Sequence, residues 1–135
     1  MRILPTLSLL LAVLVGAGCA SPPPQAEVDA AAYGPAPITF RSEVREALAR
    51  KLFDPPSAQL RFGDPFRAAV ENGDFGDGFG GGYATGWVVP VGVKARRADG
   101  EYSRFLPRRF FFPTGGGVFE LHDEQDVIPA DAGVR

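Results

Sequence analysis

The chain has 135 residues, with 14 Lys and Arg against 16 Asp and Glu and a formal net charge of −2. That length holds one domain, the near-neutral charge removes any global pull toward nucleic acid, and a single cysteine excludes the disulfide framework common in small secreted domains. Eleven phenylalanines, 17 glycines and 13 prolines describe a core built from a few large rings and a chain with many turns.

Arg2 and the free amino terminus form a short positive region, and Ile3 to Val15 is apolar except for Pro5, Thr6 and Ser8. The run is too short for a comfortable transmembrane span and reads as a secretory signal. Gly16-Ala17-Gly18-Cys19 follows, a set of small residues before a cysteine that resembles a lipobox. Residues 1–18 are expected to be a lipoprotein export signal, with Cys19 the lipidated first residue of the mature chain. The competing reading is ordinary cleavage after Gly18-Cys19-Ala20, which leaves an exposed thiol in an oxidising compartment. Several acyl chains on one residue suffice for stable anchoring. Ala20, rather than Asp, after the cysteine favours the outer membrane by the usual sorting rule, with the domain facing the periplasm.

Residues 19–37 read as a tether, with Ser21-Pro22-Pro23-Pro24-Gln25 a polyproline-like spacer followed by an Ala-rich and Pro-punctuated stretch. Residues 38–121 read as an α+β domain. A helix is expected from Arg41 to Phe53, because Val44, Ala47, Leu48 and Leu52 form an apolar stripe at helical spacing. Thr39 or Ser42 is placed to cap it, Phe40 to staple onto Val44, and Glu46 to pair with Arg50. Arg41, Glu43 and Arg45 fall on its wet face. Asp54-Pro55-Pro56 stops it.

Ser57 to Phe62 alternates as a half-buried strand, with Ala58, Leu60 and Phe62 on one side and Gln59 and Arg61 on the other. Gly63-Asp64-Pro65 ends it, and Phe66 to Glu71 fits either a helical turn or an irregular strand. Residues 73–82 hold six glycines and read as a loop. Tyr83 to Arg96 is the strongest strand, with Trp87, Val89, Val91, Val93 and Ala95 on one face. Ala98-Asp99-Gly100-Glu101 turns it. Tyr102 to Phe112 returns, with Pro107 marking an edge or a bulge, and Val118 to Leu121 is a last short strand. Residues 122–135 read as an acidic, flexible tail. The expected domain is one amphipathic helix packed on an antiparallel sheet of about four strands.

These residues carry a resemblance. Asp54-Pro55-Pro56-Ser57-Ala58 directly after an amphipathic helix, then Phe62-Gly63, Gly86-Trp87-Val88-Val89, Val91 to Arg97 and Gly100 to Phe105, resembles a family of small proteobacterial lipoproteins in which a helix ends in a D-P-x-S-A signature ahead of an antiparallel sheet. It spans residues 33 to 112. Pro90 stands where many members have cysteine, and Lys94 and Arg97 stand where asparagines are common. The resemblance implies fold and location and no particular activity.

The sequence offers little for catalysis. His122 is the single histidine, and Ser42, Ser57 and Ser103 lie in no nucleophile-elbow context, so no triad is expected and the chain is read as non-enzymatic. His122, Asp123, Glu124 and Asp126 cluster, but adjacent ligands on a tail do not preorganise a metal site, and neither metal nor cofactor is expected. The glycine-rich loop lacks the Gly-Lys-Ser/Thr of a phosphate loop. The surface feature with functional bias is the basic hairpin, where Arg96, Arg97, Arg104, Arg108 and Arg109 are candidates to meet anionic headgroups or an acidic partner, or the chain's own acidic tail. The leading reading is a lipid-anchored envelope module that binds a protein partner. The alternative is a periplasmic binder of a small molecule or envelope glycan, with Tyr83, Trp87 and Tyr102 lining its site.

Overall fold

A computed structural model of the chain describes residues 21–72 and 82–130. Two helices, α1 (Gln25–Ala30) and α2 (Phe40–Ala49), precede six strands: β1 (Gln59–Phe62), β2 (Phe66–Glu71), β3 (Tyr83–Lys94), β4 (Leu106–Pro113), β5 (Phe119–Leu121) and β6 (Val127–Pro129). All belong to one antiparallel sheet of order β5-β4-β3-β2-β6, with β1 also paired to β3. The α+β arrangement stands, but the sheet has six strands where about four were expected.

β3 organises the sheet, and its two halves have different neighbours. Tyr83 to Val88 pairs with β2, and Val91 to Lys94 pairs with β1. β1 and β2 thus lie end to end along the same side of β3. Phe62 faces Val91 and Phe66 faces Val88, so four steps on one strand oppose three on the other. The extra residue is a bulge, and it reverses the side-chain alternation: Phe62 packs with α2 while Phe66 packs on the opposite side of the sheet. Gly63 allows this, since a Cβ there would sit 2.6 Å from Pro90 Cγ.

One side of the sheet receives α2. Phe40, Val44 and Leu48 pack on Val89, Val91, Val93, Phe110 and Phe112, with Ala47, Leu52, Leu60, Phe62 and Trp87 at the margin. The expected helical stripe and the expected face of β3 therefore meet. Phe40 joins this core and sets its ring edge-on to Phe62 at 5.7 Å. Glu46 and Arg50 pair at 2.9 Å in full solvent. The helix ends at Ala49, earlier than expected, because the Leu48 carbonyl accepts from both Lys51 and Leu52 and tightens the chain into a turn.

The other side buries Ala68, Val70, Val88, Phe111 and Leu121, with Phe66, Ala84, Phe119 and Val127 around them. Phe111 and Val88 are fully buried although no helix covers them, because the sheet rolls. β5 and β6 lie at opposite edges, run in the same direction, and are separated only by residues 122–126. Their side chains share one cluster, so the two edges approach across the interior. Three consecutive phenylalanines can all be buried in β4 because both of its faces are covered.

Two segments differ from their expected description. The expected tail 122–135 contains β6, which pairs with β2 at Ala68 to Val70. The tether 19–37 contains α1, and Val28 and Tyr33 are buried. Tyr33 donates its hydroxyl to the Val28 carbonyl at 2.5 Å, and Gln25 donates to the Pro129 carbonyl at 2.8 Å. Burial pushes the Tyr33 phenol above its ordinary value, partly offset by the Arg67 cation. The neutral phenol is thus the native form, and its contribution is complete below the ordinary phenol pKa of about 10 and lost as pH rises through the folded value. Alkaline titration should loosen residues 25–37 before the sheet, as read by amide exchange, and Tyr33→Phe should remove that pH dependence.

Candidate functional site

The five hairpin arginines do not form one patch. Successive residues of a strand point to opposite faces, so Arg108 and Arg109 part company. Arg108 lies on the α2 side, 3.3 Å from Glu120, which also receives Lys51 at 2.7 Å. Arg109 lies on the rolled side and donates to the backbone carbonyls of His122 at 2.8 Å and of Asp123 and Gln125 at 3.4 Å. Gln125 in turn donates to the Glu71 carbonyl at 3.0 Å. Together they clamp the crossing from β5 to β6. Arg97 is held by Asp99 within the turn at 3.2 Å, and Arg96 is 3.9 Å from Asp54. Arg104 is exposed and has no ion-pair partner among the described residues.

Of the roles expected for Arg109, the contact observed is with the chain's own segment 122–125, through backbone carbonyls and not through its carboxylates. Arg109→Gln should cost about 1 kcal/mol, because it removes the charged donor shared by the exposed carbonyls of His122 and Asp123 and the part-buried carbonyl of Gln125. Arg104→Gln should cost nothing measurable. Chemical denaturation of the two variants separates these roles, and equal midpoints would contradict the clamp.

The end of the sheet that carries β1 is the less covered end. β5 flanks β4 only at Arg109 to Phe111, so the edge at Pro107 is free, in line with the expected edge position of that proline. On the side away from α2, Arg61 stacks over Phe105 at 3.8 Å, Lys94 stands 5.8 Å from Phe105 and 5.9 Å from Tyr102, and Arg96 stands 5.3 Å from Tyr102. Gly92 lets Phe105 lie against the sheet, with the ring 3.6 Å from where a Cβ would be. Neither Arg61 nor Lys94 has a carboxylate partner among the described residues.

On the α2 side of the same strand there is a groove of about 250 Å³, walled by Leu48, Ala49, Leu52, Pro55, Ala58 and Leu60, with Arg45 at its rim. Its walls come from α2, the turn after it and β1, and none from β3, so it opens beyond the sheet's edge. That edge of β1 has no backbone hydrogen-bond partner among the described residues. Arg45 and Arg41 stand 5.7 and 5.8 Å from the Phe62 ring, again with no carboxylate partner. Sequence reading placed Arg41, Arg45 and Arg61 on wet faces, and the signal it passed over was the i,i+4 repetition of like charge at Arg41 and Arg45, which is unfavourable within a helix.

The alternative ligand site is not assembled. Tyr83 begins β3 and donates to Asp126 at 2.9 Å, whereas Tyr102 bridges to Arg96 beyond the other end of β3. Trp87 lies between them and ties its indole N–H to the Tyr33 carbonyl at 3.3 Å. Among the described residues no group of three or more His, Cys, Asp or Glu is placed to hold a metal ion. Cys19 and the glycine-rich loop from 73 to 81 lie outside the described residues. The chain matches no family model, no curated protein and no solved structure.

Proposed function

We propose that this chain is a lipid-anchored protein of the cell envelope that acts without catalysis, by holding a protein partner at the membrane surface. The observation that carries this reading is polarity of the fold. α1 docks beside β6 at one end, while the cations that lack carboxylate partners gather around β1 at the other. Five residues, Ala20 to Pro24, separate Cys19 from α1, and the six steps from Cys19 to Gln25 reach at most about 20 Å when extended. From Gly86, whose β2 partner Ala68 pairs with Pro129, to Lys94 is about 27 Å along β3. A domain anchored through Cys19 thus has β1 as its distal end, facing the periplasm and away from an outer membrane. Among the described residues no helix is long and apolar enough to cross a membrane. The lipobox-like Gly16-Ala17-Gly18-Cys19 and the resemblance to small proteobacterial lipoproteins support the same location.

Cys19→Ser should abolish acylation and leave uncleaved precursor, as read by fatty-acid labelling and mass. Normal cleavage with release of a soluble protein would reject the anchor. Envelope crosslinking followed by purification of the lipidated protein should return a stoichiometric protein partner. Return of the protein alone would count against the interaction role.

A further inference from the structure

We propose that the groove between α2 and β1 receives an extended segment of the partner, which adds to the free edge of β1 as another strand and carries alternating apolar and acidic side chains. This rests on the reading of the chain as a protein-binding module and names where and what it binds.

Three independent features converge on this edge. β1 exposes unpaired backbone donors and acceptors along Gln59 to Phe62, the element that strand addition requires. Beside it lies the apolar groove, where Leu60 and Ala58 face Leu48 and Leu52. An added strand places alternate side chains on the two faces, so one set enters this groove and must be apolar. The other set lies on the face of Arg61, the cation that stacks on Phe105 without an acid nearby. Cross-strand pairs of opposite charge are favourable, so that set is acidic. At the Phe62 end, Arg41 and Arg45 stand on the groove face itself, so the groove-side set is apolar opposite Leu60 and gives way to one carboxylate at that end.

The same charges decide between a foreign segment and a second copy of this chain. Two β1 strands paired antiparallel about a two-fold axis would set Arg61, near the middle of the strand, against its own counterpart, and charged residues at an edge are a common defence against self-pairing. The occupant is therefore an acidic segment from another protein.

The test is selection of a random decapeptide library on the full-length lipidated protein in detergent micelles. The enriched peptides should alternate aliphatic and acidic residues, bind more weakly as salt rises, and slow amide exchange at Gln59 to Phe62. Binding should fall about tenfold or more with Arg41→Gln and Arg45→Gln together. It should fall likewise with Ala49→Trp, which fills the groove from an exposed helical position. Unchanged circular dichroism and melting certify both variants as folded. An absence of enriched peptides would overturn the proposal. So would enriched peptides that bind Ala49→Trp undiminished or leave β1 exchange unaltered. A partner captured in cells that still binds Ala49→Trp would sink the groove while leaving the interaction role standing.

Discussion

Phe111→Ala should lower stability by about 3–5 kcal/mol, the range for removing a buried phenylalanine. Phe111 is fully buried on the side of the sheet that no helix covers, among Val88, Ala68, Val70 and Leu121. In a flat sheet this ring would face water, and its removal would cost little. The large cost is thus a measure of how far the sheet is rolled. Against a total of about 5–15 kcal/mol for a domain, the loss should lower the melting temperature by roughly 15 °C or more. A shift of only a few degrees would mean that β5 and β6 do not approach across the interior.

Gly86→Ala should be comparably damaging for the opposite reason. Gly86 pairs with Pro113, and a Cβ there would overlap the Phe112 carbonyl oxygen, stand 2.6 Å from Phe111 Cε2 and 2.8 Å from the Pro113 Cα. Two of these three are backbone atoms and cannot swing aside, so β3 and β4 must separate locally. Overpacking of this kind costs about 1–3 kcal/mol or more. Phe111→Leu in the same chain should recover part of the loss by relieving the ring contact, while the backbone clashes remain. Thermal melts of the two single variants and the double variant give the coupling. Gly86→Ala with an unshifted melt would contradict the close approach of the two strands.

Some of this architecture was legible in the residues and some was not, for physical reasons. The stripe of Val44, Ala47, Leu48 and Leu52 and the alternation from Trp87 to Ala95 were readable because each element has one buried face, which imposes a period on the sequence. Phe110-Phe111-Phe112 breaks that period, and the break is the signature of a strand covered on both sides. The triplet's composition alone indicates a core of large rings and does not state the roll of the sheet that covers the second face. β6 and α1 span three and six residues, too few to show any period, and tertiary contacts rather than local propensity hold them. Gly63-Asp64-Pro65 reads as a strand's end, and β1 does end at Phe62; that β2 continues along the same side of β3 is set by the pairing, which no local pattern shows.

The candidate site was less legible than the fold. The function of an arginine depends on which face its register gives it, and Arg108 and Arg109 carry neighbouring numbers with opposite fates. The edge groove is a product of where α2 crosses β1, which no local pattern states.

Position-specific photo-crosslinking in intact cells tests the central claim most directly. A photoreactive residue replaces Arg104, near the β1 end, or Glu27 on α1, beside the expected anchor; both are exposed. If the domain stands with its partner-binding end away from the membrane, Arg104 should yield a protein adduct of one defined mass, and Glu27 should not yield that adduct. The Arg104 adduct should disappear when Arg41, Arg45 and Arg61 are changed to Gln. The same adduct from both positions, an adduct from Glu27 alone, or an Arg104 adduct indifferent to the three arginines would contradict the account.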